Sequence, residues 1–161
     1  ASDFIQVYEI SVLMDVQKST GKFYYAKPNS MKWEQQYPDE FVMVFDNQNV
    51  YKISQGKKVA MNAGNPQVSG FRKFIMGTID GSIFSDGNFD STFSKDSGMI
   101  KILLLPKKKI LKKRFDKISL TFDSNKMYLR ELVFWEGEGD IRRITFSNHQ
   151  INSITDKSIF Q

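Results

Sequence analysis

With 161 residues, 40% of them hydrophobic and 25% charged, the chain has the composition of an ordinary folded domain and can bury roughly 70% of its unfolded surface. It has no cysteine and one histidine, His149, so disulfides, thiolate or multi-histidine metal sites and a Cys–His nucleophile pair are excluded. The net charge of +5 permits anionic partners without requiring one, and 14 Phe, 6 Tyr and 2 Trp supply enough ring surface to fill a core or line a cavity.

Taken in order, Ser2–Lys18 reads as one long strand, with Phe4, Tyr8, Ile10, Val12, Met14 and Val16 on one face and a short hairpin loop at Ser19-Thr20-Gly21. Four short strands follow: Lys22–Ala26, Met31–Gln36, Phe41–Asp46 and Val50–Ser54. Turns at Pro28-Asn29, Pro38-Asp39 and Asn47–Asn49 separate them, the pattern of an antiparallel meander. Alternation then sets the faces. Phe23, Tyr25, Met31, Trp33, Met43, Phe45 and Tyr51 are the candidates for one aromatic, apolar inner face.

After a turn at Gln55-Gly56-Lys57 and a strand Val59–Met61, the period changes. Asn65 suits an N-cap and Pro66 a first helical position. Val68, Phe71, Phe74, Ile75 and Ile79 follow at helical spacing as one stripe, while Gly70 and Gly77 weaken the helix. Such a helix is either a movable lid over the sheet or a core helix sealing it.

Asp80–Ser91 is a Gly- and Asp-rich connection; Ser91 and Ser97 stand where a calcium loop needs Gly and Glu, so that motif fails. A hairpin of Phe89–Lys95 and Met99–Leu105 leads to a basic run in which Lys107, Lys108, Lys109, Lys112, Lys113 and Arg114 surround Ile110 and Leu111. Nucleic acid, an anionic membrane surface and an acidic protein patch compete for this run with plain solvation. Nucleic acid fits worst, since no nucleic-acid motif accompanies it. A contact with a membrane-embedded partner is the functional reading. The last third returns to strands over Lys117–Phe122, Met127–Trp135 and Ile141–Asn148, and Gly137 and Gly139 lack the third glycine and helix of a dinucleotide loop.

About ten or eleven strands and one helix make the chain mainly β (α+β), a single curved antiparallel sheet that must curl or close. No constellation for catalysis emerges, so no enzyme, metal or cofactor is expected.

Gly21, Phe23, Tyr25, Lys27, Pro28, Asn29, Trp33, Pro38-Asp39-Glu40, Asp46 and Tyr51 together resemble, in order and spacing, the LolA family of periplasmic outer-membrane lipoprotein carriers. Weaker similarity runs on to Phe160, so residues 1–161 are expected to be one such domain. The resemblance implies an incomplete, half-open β-barrel with a helical lid. It implies a periplasmic monomer that shields the acyl chains of lipidated proteins, received from an inner-membrane transporter and passed to an outer-membrane acceptor. In the family an arginine at the position of Lys27 bonds the lid; Lys27 is therefore the lid-switch candidate, with a point charge instead of a bidentate fork. The family also carries an amphipathic helix before the first strand. Here the chain starts at Ala1, as expected of a processed or trimmed precursor. Two other readings stay open: the same fold carrying a glycolipid or acylated pigment precursor, and a packed interaction module that docks a partner through Lys107–Arg114.

Overall fold

Apolar alternation punctuated by Pro, Gly, Asn and Asp produces strands of 5 to 12 residues, and hairpin connections pair each with its neighbour in sequence. The computed structural model describes residues 1–46 and 49–161. In chain order these form β1 (Ser2–Ile10), β2 (Asp15–Ala26), β3 (Ser30–Tyr37), β4 (Phe41–Asp46), β5 (Asn49–Ser54) and β6 (Lys57–Met61). The helix α1 (Pro66–Asp80) comes next, then β7 (Phe89–Asp96), β8 (Met99–Pro106), the one-turn helix α2 (Lys109–Lys112), β9 (Phe115–Asp123), β10 (Leu129–Glu136) and β11 (Ile141–Ser147). The eleven strands form one antiparallel sheet in the order β6-β5-β4-β3-β2-β1-β11-β10-β9-β8-β7. The strands β6 and β7 end that order unpaired with each other, so the sheet does not close.

The chain divides into two compact units. The first comprises Ala1–Phe4, Ser19–Asp80 and Asn148–Gln161, the second Ile5–Lys18 and Gly81–Ser147. In the first, the register Tyr25↔Met31, Met31↔Phe45 and Phe45↔Val50 carries one apolar row across four strands. Met31, Phe45 and Val50 are almost fully buried, as are Val68 and Ile75 of α1. The 3-10 turn Lys157–Phe160 lies against β3 and β4, with Phe160 buried. In the second unit, Ile102, Leu120, Leu132 and Ile144 form a cross-strand row over β8–β11, and Leu104, Ile118 and Phe134 form the next. All seven are buried.

The first strand departs from the sequence expectation. Instead of one strand to Lys18, the chain turns at 11–14 and returns as β2, which runs without a break through Ser19-Thr20-Gly21. Ser11 is the one turn-favouring residue in the turn, with no Gly, Pro or Asn, so its sequence signal is weak; Met14 itself takes the left-handed φ of 48°. Gly21 has a different task from the predicted loop. A Cβ there would run into the Glu34 carbonyl oxygen, at a register shift between β2 and β3. Glycine allows that close approach of two backbones. The turn at Asn47–Asn49 falls largely outside the described residues.

Candidate functional site

The first unit builds its apolar face from β2–β5 upward. Register places Phe23 opposite Trp33 and Trp33 opposite Met43, beside the Tyr25–Met31–Phe45 row. Phe23, Tyr25, Met31, Trp33, Met43 and Phe45 therefore share one face, as directly opposed antiparallel residues must. Tyr51 does not. It pairs with Val44, whose side chain points away from those of Met43 and Phe45, and the Lys58 ammonium lies 4.1 Å from its ring centre. Pairing Asp46 with Asn49 sets this parity, so Val50 fills the inner place assigned from sequence to Tyr51.

Rings make the face continuous with α1. Phe4 stacks on Trp33 at 3.7 Å between ring centres, and Phe23 meets Trp33 at 6.3 Å. From α1, Phe71 reaches both Trp33 at 6.2 Å and Phe45 at 6.3 Å. The Ser69 N–H donates to the Asn65 carbonyl, which puts Asn65 at the N-cap position ahead of Pro66. Val68 and Ile75 are buried, Phe71 and Phe74 half-buried, and Ile79 lies beyond the buried stripe at 37% exposure. Gly77 and Thr78 are buried too, and the Thr78 hydroxyl donates to the Phe74 carbonyl at 2.8 Å, satisfying a polar group on the packed side.

The Pro28-Asn29 turn meets α1 through a cation on the helix. Arg72 Nη2 donates to the Asn29 carbonyl at 3.5 Å, the long end of hydrogen bonding, while Lys27 is exposed in the turn. Ser30 Oγ donates to Asp46 Oδ1 at 3.2 Å across β3 and β4. Tyr25 donates to the Pro28 carbonyl at 3.5 Å, and burial, followed by the Asp80 carboxylate, raises its pKa. Beside α1 a groove of about 340 Å³ is lined by Asn29, Val50, Val68, Arg72, Lys73 and Met76. A second groove of about 310 Å³, at the far end of β3–β5, has a mixed lining in which Phe41, Val42 and Ile53 stand beside Glu34, Gln36 and Glu40.

In the second unit the basic run is not a plain connection: Lys109–Lys112 forms α2, with Ile110 77% exposed. Lys107 Nζ pairs with Asp90 Oδ1 at 3.2 Å, and Lys108, Lys109, Lys112, Lys113 and Arg114 are exposed. In β9 the alternation of Ile118, Leu120 and Phe122 is visible in the sequence, whereas in β8 the continuous apolar run Ile102–Leu105 hides which residues face inward, and only the register buries Ile102 and Leu104. Among the described residues, no cluster of three or more His, Asp or Glu could hold a metal ion.

An open antiparallel sheet with an aromatic face under one amphipathic helix offers a surface suited to binding apolar groups. The family model described as outer membrane lipoprotein carrier protein LolA matches residues 1–161, and the chain belongs to that family. Among solved structures it is similar to a LolA superfamily protein from Nitrosomonas europaea, at 7% identity and a TM-score of 0.41, over 98% of this chain and 90% of that one. It is likewise similar to a DUF1329 family protein from Desulfovibrio piger, at 10% identity and a TM-score of 0.40, over 99% and 90% of the two chains. The Pseudomonas aeruginosa MucA/MucB complex gives 11% identity and a TM-score of 0.46, over 99% of this chain and 57% of that one. No curated protein sequence matches. No helix among the described residues is long and apolar enough to cross a membrane.

Proposed function

We propose that this protein is a periplasmic carrier that shelters the acyl chains of lipidated proteins between the β2–β5 face and α1, and moves them from an inner-membrane donor to an outer-membrane acceptor. The observation that carries the reading is the join between face and helix. Met31 and Phe45 are fully buried, Phe71 of α1 packs its ring against Trp33 and Phe45, and Arg72 adds one long hydrogen bond to the Asn29 carbonyl. Each methylene moved out of water is worth about 0.8 kcal/mol, so acyl chains can replace α1 on this face without any specific polar recognition. Methionine and aromatic side chains adapt to such a cargo and release it again. Family membership supports the carrier class. In this reading Arg72 on the helix, rather than Lys27 in the turn, links closing of α1 to an empty face. Two alternatives differ in cargo or class: a glycolipid or acylated pigment precursor on the same face, and a packed interaction module. The tight burial of Trp33, Met31 and Phe45 favours the last of these.

A photo-crosslinking residue in place of Phe71, installed in the protein's own cell envelope, separates the three. Adducts of protein mass bearing acyl groups support the lipoprotein carrier, and adducts of lipid mass move the cargo to a smaller acylated molecule. A silent probe, together with no saturable binding of an environment-sensitive hydrophobic dye, overturns carriage and leaves the packed module.

A further inference from the structure

We propose that one end of the second unit, made by the β1–β2 turn and the basic α2 segment, docks on the surface of an anionic lipid bilayer. The turn is the first observation. Val12 is 73% exposed, Leu13 68%, Met14 95% and Val16 63%. Single exposed apolar residues are ordinary, but four within five positions at the tip of a hairpin are a contiguous apolar surface. Read as one strand, Val12, Met14 and Val16 share a face with Phe4, Tyr8 and Ile10; the turn at 11–14 instead leaves them and Leu13 exposed.

A short stretch ties this tip to the basic segment. Asp140 accepts from the Ser11 N–H at 2.8 Å and from the Tyr8 hydroxyl at 3.0 Å. Three residues earlier, the Gly137 N–H donates to the Arg114 carbonyl at 3.1 Å. Both neighbours press close. A Cβ on Gly139 would meet Ser11 Oγ at 3.3 Å, and one on Gly137 would meet the Lys113 carbonyl at 3.2 Å. Ser11 and Arg114 are therefore held against two ends of one four-residue stretch, and the apolar tip shares its end of the unit with Lys108, Lys109, Lys112, Lys113, Arg114 and exposed Ile110.

The chemistry selects the occupant. Protruding aliphatic and thioether side chains beside lysines match the boundary between headgroups and acyl chains, where apolar tips enter and cations meet anionic lipid. A tip of four residues is much smaller than the roughly 800 Å² per partner of a stable protein interface. Exposed Asp15, Asp116 and Glu138 lie in the same segments, so the attraction rests on the excess of cations over them. The proposal does not depend on what the first unit carries.

The test is flotation of the full chain with vesicles of 30% phosphatidylglycerol in phosphatidylcholine, against phosphatidylcholine alone. Binding to the anionic vesicles is expected, weakening as salt rises. Replacing Lys109, Lys112 and Lys113 by Gln should lower partitioning on the order of 100-fold, at roughly fivefold per lysine. The separate variant Leu13→Ser with Met14→Ser should weaken binding while leaving its salt dependence in place. All these positions are exposed or at a turn, and circular dichroism melts confirm that the variants fold. Equal binding to neutral vesicles, or binding that neither variant changes, overturns the proposal. So do inert vesicles combined with a dimer in sedimentation that the Leu13→Ser, Met14→Ser variant abolishes, an outcome that assigns the surface to a second copy of the chain.

Discussion

Trp33 of β3 and Phe71 of α1 meet edge to face, with ring centres 6.2 Å apart and planes at 85°. This geometry lets the positive edge of one ring face the negative π-cloud of the other, adding about 0.5–1.5 kcal/mol to the burial of the rings. Trp33 also stacks on Phe4, so the indole is held from β1 while it receives the helix. Phe71→Ala should cost about 2–3 kcal/mol in urea unfolding, below a full core value because Phe71 is half-buried. In the same variant, a hydrophobic dye should bind more tightly, because α1 covers the face less firmly.

Arg72 and Lys27 should behave differently although both carry one cation near the Pro28-Asn29 turn. Arg72→Ala removes the 3.5 Å bond to the Asn29 carbonyl, a long and partly exposed contact, and should cost less than about 1 kcal/mol while speeding dye uptake in stopped flow. Lys27→Ala should leave both stability and uptake within error, since Lys27 is exposed. Equal acceleration by the two substitutions would return the switch to Lys27.

Gly21→Ala is the severe substitution in the meander. The added methyl would collide with the Glu34 carbonyl oxygen and sit 2.9 Å from Gln35 Cα, and both are backbone atoms of a paired strand. Nothing there can rotate aside. A loss of about 3 kcal/mol or more is expected, read as a fall in the urea midpoint or as failure to accumulate in soluble form.

Tyr8 links stability to alkaline pH. Burial first, then the hydrogen bond to Asp140, raise its pKa above the ordinary tyrosine value, with the Glu136 and Asp140 carboxylates adding to the effect and Arg142 opposing it. A raised pKa means that the fold favours the neutral phenol. Its contribution is complete below about pH 10 and is lost as pH climbs through the raised value. Tyr8→Phe should therefore cost about 1 kcal/mol at neutral pH, and should remove the part of the alkaline loss in melting temperature that belongs to this group. The Arg142 guanidinium, 4.0 Å from the ring centre, keeps its aromatic partner in that variant.

Much of the architecture is local and was legible without coordinates. Pro28-Asn29, Pro38-Asp39 and Gln55-Gly56 punctuate the meander, Asn65-Pro66 opens α1, and period-two alternation buries Ile118, Leu120 and Phe122. These signals survive because turn chemistry and strand periodicity act over a few residues. The family motif sits on the same stretch, which is why the carrier class also emerged there.

The rest required residues distant in sequence. Tyr51, an inner-face candidate from the sequence, pairs with Val44 because Asp46 pairs with Asn49, and one step in register inverts every side chain of a strand. The turn at 11–14 has no Gly, Pro, Asn or Asp; Asp140, 129 positions from Ser11, receives the Ser11 N–H. Gly21 looked like a loop glycine because glycine marks turns, but its reason is the Glu34 backbone across the strand pair. By itself, then, the sequence determined the strands, the helix and the aromatic character of one face, which depend on neighbours within a turn or two. Which side chains share that face, and which apolar tip stands in water beside the lysines of α2, was decided by tertiary contacts, because a backbone finds its hydrogen-bond partners in space.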